Sequence, residues 1–70
     1  MKTWEEAIAT YPFYAAIPAF RDSYRNGWFD RMLGADSQIA RTSPDIFYRE
    51  GYKQGRCDWV VNMKGFLVLD

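Results

Sequence analysis

Apolar positions recur every three or four residues along two stretches of this chain, separated by a polar one, and that spacing predicts two amphipathic helices. Ala16, Phe20, Tyr24, Trp28 and Met32 stand four apart, Pro18 occupies a first helical position where its missing N–H is tolerated, and Gly34 stands where helices commonly stop. A helix is therefore predicted over about 18–33. The stretch from Ala35 to Thr42 is polar apart from Ile39 and reads as a connecting loop. Ser43-Pro44-Asp45 then offers a cap, a proline at the first position and an acid near the positive end of the helix dipole, so a second long helix is predicted over about 44–63. Along it, Tyr48, Tyr52, Gly55, Trp59 and Met63 line one side, Glu50, Gln54, Asp58 and Asn62 form a polar ladder on the other, and Lys64-Gly65 makes a stop. Phe66 to Leu69 would follow as an extended tail. The alternative for this end is a β-hairpin over 58–69, with Trp59-Val60-Val61 pairing against Phe66 to Leu69 around a loop at 62–65.

Ahead of these elements, Thr3 and Glu6 have the spacing of a capping box, predicting a short N-terminal helix over about 3–10 with Trp4, Ala7 and Ile8 on one side. Tyr11-Pro12 requires an extended residue, and Phe13 to Ile17 has room for one further turn.

The two long segments are copies of one another. Phe20-Arg21-Asp22-Ser23-Tyr24-Arg25-Asn26-Gly27 aligns without a gap on Tyr48-Arg49-Glu50-Gly51-Tyr52-Lys53-Gln54-Gly55, and Asp30 and Asp58 extend the match, at an offset of 28 residues. In each copy the aromatic, the Tyr and the Gly fall on one stripe, with Ser23 and Gly27, or Gly51 and Gly55, as a small-x-x-x-small pair beside it. A glycine inside a helix costs up to about 1 kcal/mol relative to alanine, and close approach of two backbones is the simplest reason for both copies to keep one. The reading is a mostly α single domain, 1–70, built on an antiparallel pair of helices that touch near Gly27 and Gly55, with Phe20, Tyr24, Tyr48, Gly51 and Tyr52 packed around the contact.

Seventy residues leave room for one core, and ordering each costs about 1.5 kcal/mol, so the apolar side chains must be large. Three Trp, five Tyr and five Phe meet that need. Nine basic and nine acidic residues cancel, which removes any bulk attraction to nucleic acid or an anionic membrane, so that such binding would need a local patch. The lone Cys57 cannot form an internal disulfide and reads as a half-buried structural thiol in a cytoplasmic protein. No apolar run is long enough to span a bilayer. The absence of histidine, of metal-ligand spacing and of phosphate-loop glycine motifs argues against an enzyme and against a cofactor or metal.

The segment Tyr48 to Arg56 resembles the Gly-Tyr-x-x-Gly signature of the ribosome modulation factor family, with Phe20 to Gly27 as a degenerate second copy carrying Ser23 in place of the first glycine. The resemblance implies a small helical protein that binds the small ribosomal subunit in stationary phase. RNA contacts would then fall to Arg21, Arg25, Arg49, Lys53 and Arg56, with an exposed aromatic such as Trp28 or Phe29 for stacking.

From the residues themselves, the expected function is noncatalytic docking on a larger protein or ribonucleoprotein of a bacterial host, which it would inhibit or modulate. Small one-domain accessory factors of phages and mobile elements work in this way. Arg21, Arg25, Phe29, Arg49 and Lys53 are the candidate partner-binding residues, because arginine and aromatic side chains dominate interface energetics. A third expectation is a self-associating structural module, using Tyr11 to Phe20 and Phe66 to Leu69 as an apolar patch.

Overall fold

Local capping chemistry sets most of the helix boundaries. The computed structural model describes residues 2–67, and side-chain surroundings as far as Met63. The Thr3 hydroxyl accepts from the Glu6 amide at 3.2 Å while the Glu6 carboxylate accepts from the Thr3 amide at 3.1 Å, and this reciprocal pair opens α1, Trp4–Ile8. Pro12 and Pro18 stand in the first turns of α2, Pro12–Ala15, and α3, Pro18–Leu33. Gly34 ends α3 with φ 75°, a conformation that costs a glycine nothing.

Three boundaries differ from the sequence expectation. The polar stretch after Gly34 is not all loop: Ser37 accepts from the Ala40 amide at 3.1 Å and caps a single turn, α4, Gln38–Arg41. The next helix begins at Ile46 rather than 44, because Asp45 is the residue that caps it, its carboxylate accepting from the amides of Phe47 at 2.9 Å and Tyr48 at 3.3 Å. That helix, α5, is Ile46–Leu67, so Lys64-Gly65 does not stop it and Phe66 and Leu67 are helical rather than extended. The hairpin over 58–69 does not form, since 58–67 is helix; Val68 and Leu69 lie outside the described residues. Around Asp58 the polar ladder binds to itself along the helix, with Gln54 donating to the Asp58 carboxylate at 2.9 Å and Asn62 to the Asp58 carbonyl at 2.8 Å. No strand occurs among the described residues.

The principal contact is α3 on α5, at the glycines as expected. A Cβ placed on Gly27 would strike the Tyr52 carbonyl and come within 3.2 Å of the Arg56 nitrogen, and one on Gly55 would strike the Tyr24 carbonyl. One on Gly51 would meet the Ser23 hydroxyl and, at 2.5 Å, the Phe20 carbonyl oxygen. These contacts correct the expected direction of the pair. Gly51 meets Phe20 and Gly55 meets Tyr24, so a step of one turn up α5 is a step of one turn up α3, and the two helices run parallel rather than antiparallel. Residues 34–45 make this possible. A 16-residue helix is about 24 Å long, and the segment carrying α4 returns the chain over that distance, docking on α5 through Ser37 N–H to the Tyr52 hydroxyl at 2.8 Å and Arg49 to the Ser43 carbonyl at 3.1 Å.

Parallel packing places equivalent positions of the two copies opposite one another. Ser23 faces Gly51, its counterpart, and is fully buried. Its hydroxyl donates to the Phe20 carbonyl at 3.1 Å and fills space that a side chain at 51 would need, so the one mismatch in the repeat is complementary. On one side of this seam, Phe20, Tyr24 and Trp28 stack at centroid spacings of 6.0 and 6.3 Å, with Ala7 and Ile8 of α1 against them and Trp4, Tyr11, Ala15, Ile17 and Trp59 at the margin.

Candidate functional site

The charged and polar side chains of the repeat divide into an inner set that bonds α3 to α5 across the seam and two outer sets, the second of which also touches the connector. In the inner set, the Tyr24 hydroxyl donates to the half-buried Asp58 carboxylate at 2.5 Å and the Tyr52 hydroxyl to the half-buried Asp30 carboxylate at 2.6 Å. These are the same bond made twice, since Asp58 is the counterpart of Asp30 and Tyr52 of Tyr24. Asp58 also accepts from Tyr11 at 2.9 Å. The sequence places Asp58 on the polar ladder opposite the apolar side of α5, and in the fold it is the acceptor that anchors two tyrosines of other elements.

Burial, followed by the hydrogen bond to Asp58, pushes the Tyr24 hydroxyl far above the ordinary tyrosine range, and the same causes raise Tyr11. Tyr52 is raised by burial and by Asp30. Folded values above the unfolded one mean that this stabilisation is fully present below about pH 10 and is lost as pH rises through the folded values. Urea midpoints are accordingly expected to hold steady up to about pH 9 and to fall beyond about pH 10, in step with tyrosinate absorbance. A midpoint unchanged in strong alkali would show that the hydroxyls are not bound in this way.

The first exposed set lies on α1 and α3. Arg21 stacks over the Trp4 ring at 4.9 Å, and Arg25 lies between that ring and Phe29, at 6.0 and 5.9 Å. Beside them a shallow hollow is lined by Trp4, Trp28, Phe29 and Met32, with Lys2, Thr3 and Glu5 at its polar edge, and Phe29 is 36% and Met32 42% exposed. Three of the five expected partner-binding residues, Arg21, Arg25 and Phe29, therefore share one face. Trp4, which completes it, was not a candidate in the sequence, because its place beside α3 depends on how α1 docks.

Arg49 and Lys53, the other two, belong to a second set on α5. With Arg41 and Glu50 they line one depression, and Arg41 and Lys53 also line the next, together with Arg31, Arg56 and Cys57. Arg31 lies over the Trp59 ring at 5.7 Å, and Arg56 donates to the Ala35 carbonyl at 2.5 Å. Arg41 pairs with Asp36 at 2.5 Å, and its guanidinium holds the Asp36 carboxyl below the usual carboxylate range. Of the six residues expected to contact RNA, Trp28 is buried at 4% exposure and is no platform for a base, and Arg56 is half-buried and engaged with Ala35 and Tyr52. Cys57 is exposed rather than half-buried.

Of the apolar patch expected over Tyr11 to Phe20, only Phe13, 71% exposed, and Tyr14 face outward, because Phe20 is buried in the core and Tyr11, Ala15 and Ile17 pack against it; the surroundings of Phe66 to Leu69 lie outside the described residues. Among the described residues no group of three Cys, Asp or Glu side chains is placed to hold a metal ion, and no helix is long and apolar enough to cross a membrane. Comparison with protein-family models, curated proteins and solved structures finds no match to this chain.

Proposed function

We propose that this chain is a noncatalytic protein that docks on a larger protein of a bacterial host and inhibits or modulates it, in the manner of phage and mobile-element accessory factors, through the face formed by Trp4, Arg21, Arg25, Phe29 and Met32. The observation that carries the reading is the stack of two guanidinium groups on the Trp4 and Phe29 rings beside an apolar hollow. Tryptophan and arginine are the residues most enriched at interface hot spots, and arginines already held against aromatic rings lose less rotamer freedom on binding than free ones. The hollow accepts an apolar side chain from the partner while the guanidinium edges face its carboxylates or carbonyls.

Affinity capture from bacterial lysate with the full chain as bait, with and without nuclease, tests the reading. Arg25→Glu and Phe29→Ala remove exposed side chains outside the buried seam, and each is expected to weaken retention of a nuclease-resistant protein partner by about thirtyfold or more, the scale of a hot-spot residue. Lys53→Glu on α5 is expected to retain the partner. Capture that survives both face substitutions, or that vanishes with nuclease, refutes protein docking through this face.

A further inference from the structure

A chain with as many acids as bases nevertheless carries a cationic strip. Arg31, Arg41, Arg49, Lys53 and Arg56 line two depressions that share Arg41 and Lys53, and among the described residues the acids placed against them are Asp36, Glu50 and, through the Tyr52 hydroxyl it shares with Arg56, Asp30. The cations outnumber these acids because other carboxylates lie elsewhere: Asp58 against Tyr24 and Tyr11, Glu6 and Asp45 at helix starts. Along α5, Arg49, Lys53 and Arg56 stand at i, i+4 and i+7, a like-charge spacing that works against an isolated helix. Lys53 is exposed and makes no hydrogen bond or ion pair among the described residues.

Several of these cations are held in place before any ligand arrives. Trp59 lies beneath Arg31, Asp36 holds Arg41, and the Ala35 carbonyl and the Tyr52 ring hold Arg56. Such fixed cations favour an anion that contacts them together, and the chemistry of guanidinium and ammonium groups in a row suits phosphate oxygens. Arg49 and Arg56 are seven residues apart, about 10 Å along the helix, too far for one phosphate to reach both ends. The strip offers no exposed aromatic for a base to stack on: Tyr52 is buried and Trp59 half-buried under Arg31.

We infer that the α5 strip, from Arg49 through Lys53 to Arg56 with Arg31 and Arg41 flanking it, is a binding site for a short chain of phosphates, as in free polyphosphate or the triphosphate of a nucleotide. This site is separate from the α1–α3 docking face and does not rest on it.

Titration calorimetry of the full chain at low salt, with inorganic tripolyphosphate, ATP and a single-stranded oligonucleotide as probes, tests the assignment. Tripolyphosphate is expected to bind, and Lys53→Glu and Arg31→Gln are each expected to weaken it about tenfold, with thermal midpoints close to that of the parent chain. Arg25→Glu on the opposite set is expected to leave its affinity unchanged. Equal affinity for tripolyphosphate and ATP identifies free polyphosphate as the source, and tighter ATP binding identifies a nucleotide. Absence of binding, equal weakening by Arg25→Glu, or an oligonucleotide that binds while tripolyphosphate fails to displace it overturns the inference.

Discussion

Gly55→Leu is expected to leave the chain unfolded in buffer, and Gly55→Ala to destabilise it by about 2–3 kcal/mol even though alanine is favoured over glycine in a helix by about 1 kcal/mol. The sign is decided by what a Cβ would meet. At position 55 it collides with the Tyr24 carbonyl oxygen, with the carbonyl carbon at 2.9 Å and the Cα at 3.0 Å, against a favourable carbon separation of about 3.5–4.0 Å. These are backbone atoms of a helix and cannot rotate aside, so α3 and α5 must separate. Because Gly27 makes the counterpart contact with Tyr52, separation at one glycine loosens the other as well, and Gly27→Ala is expected to behave in the same way. A domain of this size has roughly 0.05–0.15 kcal/mol of stability per residue, so the added isobutyl group of leucine exceeds what the fold can absorb. Gly34→Ala is the contrasting case: nothing lies within 4 Å, and the expected cost of about 1 kcal/mol comes only from φ 75°. Urea unfolding followed by circular dichroism separates the outcomes. If Gly55→Ala raises the midpoint, the helices do not touch there.

These glycines were legible before any coordinates, because two copies of one segment keep them at a position where a helix alone would disfavour them. The span of α3 was equally legible, since Pro18 and Gly34 fix its ends through backbone geometry that sequence states directly. The direction of α5 relative to α3 was misread, and the cause lies in the connector. A polar loop between two helices suggests an antiparallel hairpin, but the segment 34–45 is long enough to travel back along a helix, and the Ser37 cap that folds α4 and docks it on Tyr52 is a tertiary event with a weak local signature. Among surface residues, the four-residue spacing of Arg21, Arg25 and Phe29 placed them together. Arg49 and Lys53 line other depressions, because equivalent positions on two helices need not share a face of the assembled pair.

The acid repeated at 30 and 58 also had a structural meaning, and it sets the other large effect. Asp58→Ala is expected to cost about 3–4 kcal/mol, because it removes a charged acceptor from Tyr24 and Tyr11 together, and a hydrogen bond to a charged group is worth about 1.5–3 kcal/mol. Tyr24 is fully buried, so its hydroxyl has no ready substitute in water, and Gln54 keeps only its bond to the Tyr11 hydroxyl. Asp30→Ala is expected to cost less, about 1–2 kcal/mol, since the Tyr52 hydroxyl still accepts from the Ser37 amide and from Arg56. Asp58→Asn keeps an acceptor and is expected to fall between the parent chain and Asp58→Ala. A double-mutant cycle with Tyr24→Phe isolates the pair: a coupling above about 1 kcal/mol is expected, because removing the hydroxyl first removes part of what Asp58→Ala would leave unsatisfied. Strict additivity would mean that Asp58 stabilises the fold through some other contact, and that the reciprocal tyrosine bonds across the seam follow from the helix packing rather than hold it.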